Sequence, residues 1–164
     1  MNGARILAID DNPAVLGLLS DVLSDLGYSP HLMDRPPNRL EQITAINPDV
    51  IVLDLAFEGG QLDGWRLLQR LRGDPRTYGI PVVLCTASAE EIRGREQWLA
   101  GHRVWVVVKP FELGSLEGAL RHALLAGPRP AVGVSPAADR GGSASGTVER
   151  RSGTEEELDP LLQQ

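Results

Sequence analysis

The sequence predicts an α/β fold, a doubly wound five-stranded parallel sheet with helices on both faces, on three observations. Short, nearly unbroken apolar runs rich in Val and Ile recur at residues 6–9, 50–53, 82–85 and 104–108, with a weaker run at 28–33. Segments with helical apolar spacing separate them, and Gly and Pro stand at the junctions. Unbroken apolar strands are what a parallel sheet buried on both faces requires, because neither side of the strand meets water. Five such βα units close into one open sheet with right-handed crossovers.

The helices follow in order. Val15, Leu18, Leu19, Val22, Leu23 and Leu26 recur at i, i+3, i+4 and i+7, the spacing of a single buried stripe, with Pro13 at the start and Gly27 at the stop. Leu40, Ile43 and Ile46 predict a second helix, residues 65–71 a third, and residues 90–99 a less regular fourth. Leu113, Leu116, Leu120 and Leu124 predict a fifth, and the periodic pattern stops there. A domain over residues 1–126 and a disordered tail over 127–164 are therefore expected. The tail has no aromatic residue, four Pro, six Gly and four Ser, too little apolar surface to offset the entropy of ordering it.

Composition narrows the function. The 164 residues are 42% hydrophobic, yet no apolar run approaches the ~20 residues of a membrane span. A transmembrane protein is therefore not expected. The first nine residues turn acidic at Asp10 and Asp11 too soon for a signal peptide, so a cytoplasmic location is expected. The single cysteine, Cys85, excludes a disulfide framework and reads as a small buried hydrophobe. A net charge of −6 argues against direct nucleic-acid binding, whose affinity rests largely on Lys and Arg neutralising phosphates.

Ligands of such sheets bind at the carboxyl ends of the strands, so the residue following each apolar run locates the chemistry. Asp10 and Asp11 follow the first, Asp54 the third, Thr86 the fourth and Lys109 the fifth. Singly, each has an ordinary explanation: Asp11 or Asn12 as a helix cap, Asp54 as a turn residue, Thr86 as a loop start. Together they place three carboxylates in one crevice, where two like charges about 4 Å apart repel by roughly 4 kcal/mol at an effective dielectric of 20. A divalent cation would relieve that repulsion, and oxygen-only ligands favour Mg²⁺. Lys109 is the only lysine among 16 basic residues and stands just before Pro110, where a compact ammonium serves better than a forked guanidinium. Pro110 is also a candidate for a cis bond. Mg²⁺, a carboxylate, an amine and a hydroxyl are the set that phosphoryl transfer to an aspartate uses.

The segments AIDDNP at 8–13, DVIVLDL at 49–55, DGWRLLQRLR at 63–72, PVVLCTAS at 81–88 and VVVKPFE at 106–112 resemble the receiver domain of bacterial two-component response regulators, over about residues 4–126. The resemblance implies the strand order 2-1-3-4-5. It implies that Asp54 accepts a phosphoryl group from a sensor histidine kinase or histidine phosphotransfer protein. It further implies Mg²⁺ on Asp11, Asp54 and the Ala56 backbone carbonyl, with Asp10 acting mainly through a coordinated water. Lys109 would pair with Asp54 and its phosphate. Thr86 would move to that phosphate and shift the face built from helix 4, strand 5 and helix 5, where a downstream protein target would dock.

Three features depart from the family pattern. Glu58 stands where a proline is usual, and Asp63-Gly64 comes two residues late, behind Gly59-Gly60. Val106 replaces the usual aromatic switch, with Trp105 one place earlier on the other side of the strand. Ala56 and Ser88, which resemble positions controlling attack by water, are both small. The function expected is a stand-alone receiver, not an enzyme beyond its own phosphorylation and dephosphorylation. A receiver-like scaffold that binds partners without phosphorylation is the alternative, and an independent phosphatase is third.

Overall fold

In the computed structural model, which describes residues 3–58 and 63–127, the apolar runs become five parallel strands. They are β1 (Arg5–Ile9), β2 (Ser29–Met33), β3 (Val50–Asp54), β4 (Val82–Thr86) and β5 (Val104–Val108), ordered β2-β1-β3-β4-β5. Both the fold class and the strand order match expectation. Period-two alternation explains why the interior of each central strand is apolar: successive side chains enter opposite layers. Leu7, Ile9, Ile51, Leu53, Val82 and Leu84 face one layer, while Ile6, Ala8, Val50, Val52, Val83 and Cys85 face the other. All of them are buried, and each large aliphatic side chain contributes about 1.5–3 kcal/mol. The tail expected over 127–164 lies, but for Gly127, outside the described residues.

Helices α1 (Pro13–Asp25) and α5 (Leu113–Ala126) cover the second layer; α2 (Glu41–Ile46), α3 (Asp63–Gly73) and α4 (Glu96–Gly101) cover the first. The α1 stripe differs from the expected one. Leu16, Leu19 and Leu23 are buried, whereas Leu18 is 54% exposed, because it lies about 200° around the helix from Leu16. Similarly, Leu113 opens α5 and is exposed, leaving Leu116, Leu120 and Ala123 to meet the sheet. The fourth helix is also broken. Residues Ala89–Ile92 form a single 3₁₀ turn, Gly94 adopts a φ of 78°, and α4 starts only at Glu96. A residue with positive φ cannot continue a right-handed helix, so the chain leaves helical geometry at Gly94.

Two features of α1 position the site. Pro13 occupies the first turn, and the Asn12 side chain accepts the Ala14 N–H at 2.9 Å, an N-cap worth about 1 kcal/mol. Asn12, not Asp11, is therefore the cap. At the far end, Gly27 takes a φ of 79° and its N–H returns to the Ser24 carbonyl. No helix among the described residues is long and apolar enough to cross a membrane.

Candidate functional site

Strand register decides what meets at the carboxyl ends. Ile9 lies beside Leu53 and Asp54 beside Cys85, so the residue after β1 reaches the level of the last residue of β3. Thr86 pairs with Val108, which places Lys109 one step beyond it, its N–H donating to the Thr86 carbonyl at 2.7 Å. The Lys109–Pro110 peptide is cis.

One carboxylate oxygen each from Asp10, Asp11 and Asp54 falls within 4.8 Å of the others. Asp10 is 2% exposed; its Oδ1 accepts the Asn12 N–H at 2.9 Å and its Oδ2 receives Lys109 Nζ at 2.6 Å. The same ammonium lies 3.1 Å from Asp54 Oδ1. Lys109 therefore bridges two carboxylates and leans toward Asp10. Asp11 stands at the mouth of the site, with its carboxylate accepting the N–H of Glu58. Glu58 thus holds the start of the loop against the acidic cluster through its backbone, a role that any residue except proline can fill.

Burial pushes the Asp54 carboxyl above the usual range, opposed by the Lys109 charge and reinforced by Asp10. Burial pulls on the Lys109 ammonium in the other direction, but its hydrogen bond to Asp10 and the two carboxylate charges outweigh that, and its net shift is upward. Three carboxylates against one ammonium leave two negative charges in excess. Oxygen donors at this spacing with a residual negative charge suit a hard divalent cation. Cys85, buried under the site, has its thiol pushed up by burial to about 12 and offers no ligand chemistry at neutral pH.

The structure thus brings together Asp10, Asp11, Asp54 and Lys109, with Ala56 half-buried just after β3. Thr86 is fully buried at the end of β4, but its hydroxyl bonds elsewhere: to the Ser88 carbonyl at 2.9 Å and to the Glu91 carboxylate. Trp105 and Val106 face opposite layers, as the strand period requires. Sequence reasoning missed Glu91, because it lies five positions after Thr86 inside a stretch read as continuous helix. It also gave no reason for Gly64. A Cβ there would sit 1.9 Å from the Asp54 carbonyl oxygen and 2.8 Å from Leu55 Cα, so the start of α3 packs directly on the backbone that carries Asp54. A Gly directly after the Asp that opens a helix was the available signal.

A family model described as the response regulator receiver domain matches residues 6–121. The DNA-binding dual master transcriptional regulator RpaA of a Synechocystis strain is 33% identical over 120 residues, 73% of this chain and 48% of that protein. The chain spans from a quarter to about half the length of the first curated relatives it matches. Among solved structures, the chemotaxis protein CheY4 of Vibrio cholerae is similar with a TM-score of 0.64 at 24% identity, over 74% of this chain and 99% of that one. The receiver domain of the sensor histidine kinase PA1611 of Pseudomonas aeruginosa, solved with a magnesium ion in its active-site cleft, has a TM-score of 0.62 at 24% identity, over 74% of this chain and 98% of that one. These two share the fold.

Proposed function

The chain belongs to the response regulator receiver domain family, and from that premise we propose that Asp54 accepts a phosphoryl group from a phosphohistidine of a sensor histidine kinase or histidine phosphotransfer protein. The observation that carries this reading is the single ammonium of Lys109 shared between Asp10 and Asp54 beside a third carboxylate. An Asp54 oxygen attacks phosphorus while the N–P bond of the donor breaks and its electron pair returns to the imidazole. Lys109 stays within reach of the transferred group, and its charge favours the added phosphate oxygens. Thr86, released from its present partners, supplies a hydroxyl donor on the other side.

Asp11, Asp54 and the Ala56 carbonyl would hold Mg²⁺, with Asp10 reaching it through water. When bound, Mg²⁺ supplies charge neutralisation and orients the phosphoryl oxygens. Asp10 is the least available to it directly, because both of its oxygens already accept hydrogen bonds. The signal leaves through protein contacts on the face of α4, β5 and α5.

Calorimetric titration checks the acidic site. Mg²⁺ is expected to bind with a millimolar-range constant in the full chain, as suits a site that leaves the ion partly hydrated. Asp11→Asn should weaken that binding about tenfold or more by removing one charge and one ligand. No heat of binding at any Mg²⁺ concentration, or an Asp11→Asn curve that overlays the wild type, would overturn the metal site.

A further inference from the structure

The Thr86 hydroxyl carries one proton and can donate it once. Two acceptors face it, the Ser88 carbonyl at 2.9 Å and the Glu91 carboxylate, while the Ser88 N–H points back at Thr86 Oγ1 from 3.3 Å. A carboxylate is the stronger acceptor, because charge-assisted hydrogen bonds are shorter and roughly twice as strong as neutral ones. The proton therefore goes to Glu91, and the donor that a phosphoryl group on Asp54 would recruit is already committed. We propose that Glu91 is a positioning residue that holds Thr86 away from the phosphorylation site and has to release it for the phosphorylated state to form. This rests on the reading of Asp54 as the phosphoacceptor.

Glu91 is also well placed to pass its release on. It sits in the 3₁₀ turn Ala89–Ile92, and its backbone carbonyl accepts Arg95 Nη1 at 2.7 Å. The Arg95 guanidinium lies 4.8 Å over the Trp65 ring, and Trp65 meets Trp98 of α4 with centroids 5.1 Å apart. A run of contacts therefore joins Thr86 to the start of α3 and to α4 without using β5, where Val106 offers no ring to follow the threonine. Charge favours release: a phosphoryl group brings about two negative charges, which repel the Glu91 carboxylate while attracting the Thr86 proton.

Calorimetric binding of beryllofluoride, an analogue of the phosphoryl group, to the full chain in saturating Mg²⁺ tests the proposal. Glu91→Ala should bind about tenfold tighter than wild type, the factor for one net hydrogen bond to a charged group. Glu91→Gln, which keeps an acceptor for the threonine, should gain less. With Thr86→Ala in the background, removing Glu91 should gain nothing, a dependence that a merely structural role would not produce. Unchanged or weaker binding by Glu91→Ala overturns the proposal, as does a gain of equal size with and without Thr86. Wild type that binds no beryllofluoride overturns the phosphoacceptor reading itself and this inference with it. Wild type that binds, with Glu91→Ala no tighter, overturns the inference alone.

Discussion

Gly64→Ala is expected to destabilise the domain by about 3 kcal/mol or more, an overpacking cost at the upper end of the usual range. The added methyl would stand 1.9 Å from the Asp54 carbonyl oxygen and 2.8 Å from both Leu55 Cα and the Leu55 carbonyl oxygen. All three are backbone atoms of the segment that carries the candidate phosphoacceptor, so no side-chain rotation relieves the clash. The intrinsic preference for Ala over Gly within a helix recovers only about 1 kcal/mol. Either α3 moves away from β3 or Asp54 is displaced. Urea denaturation measures the first cost, and Mg²⁺ affinity should fall at the same time. A variant as stable as wild type, with unchanged Mg²⁺ binding, would show that α3 does not press on β3 at this point.

Lys109→Ala carries the second large effect. Asp10 and Asp54 are 2% and 7% exposed, and the ammonium between them is the one cation either contacts among the described residues. Removing one partner of a buried ion pair leaves an uncompensated buried charge and costs about 3 kcal/mol or more. Two tests distinguish this from a simple packing loss. Added Mg²⁺ should restore much of the stability, because it replaces the missing charge. Lowering the pH should help as well. Burial already raises the Asp54 carboxyl, with Asp10 adding to the shift against the opposing Lys109. The folded state therefore binds more protons than the unfolded chain, and stability falls as pH rises from the ordinary carboxylate range through the raised value. Without Lys109 that window should reach higher pH and the loss should deepen. Thermal unfolding at neutral and mildly acidic pH, with and without Mg²⁺, reads both. Insensitivity of the variant to Mg²⁺ and pH together would mean that the three acids do not share one field.

Most of the architecture could be read from the sequence, because unbroken apolar strands alternating with helices that carry one apolar stripe leave few arrangements. The strand order came with the resemblance to the receiver family, while the residue after each apolar run was enough to predict the meeting of Asp10, Asp11, Asp54 and Lys109. What could not be read depends on tertiary detail. Leu16 and Leu18 are both leucines one turn into α1, and only the direction of the sheet decides which is buried. The break at Gly94 depends on a single positive φ inside an otherwise helical composition. Thr86 was legible as a hydroxyl at a strand end, but where that hydroxyl points depends on the fold of the following turn, which brings Glu91 back over it. Asp11 and Asn12 were equal candidates for the cap until the backbone chose Asn12, which leaves the Asp11 carboxylate in the acidic cluster.

In the proposed reaction Asp54 takes a phosphoryl group with Mg²⁺ at the adjoining carboxylates. Intact-mass measurement of the full chain after incubation with acetyl phosphate and Mg²⁺ addresses it most directly, since this donor needs no partner protein. One phosphoryl adduct is expected in the wild type, lost on chelation of the metal and absent from Asp54→Asn. An unmodified wild-type mass under conditions where Mg²⁺ binds, or an adduct that persists in Asp54→Asn, would contradict it.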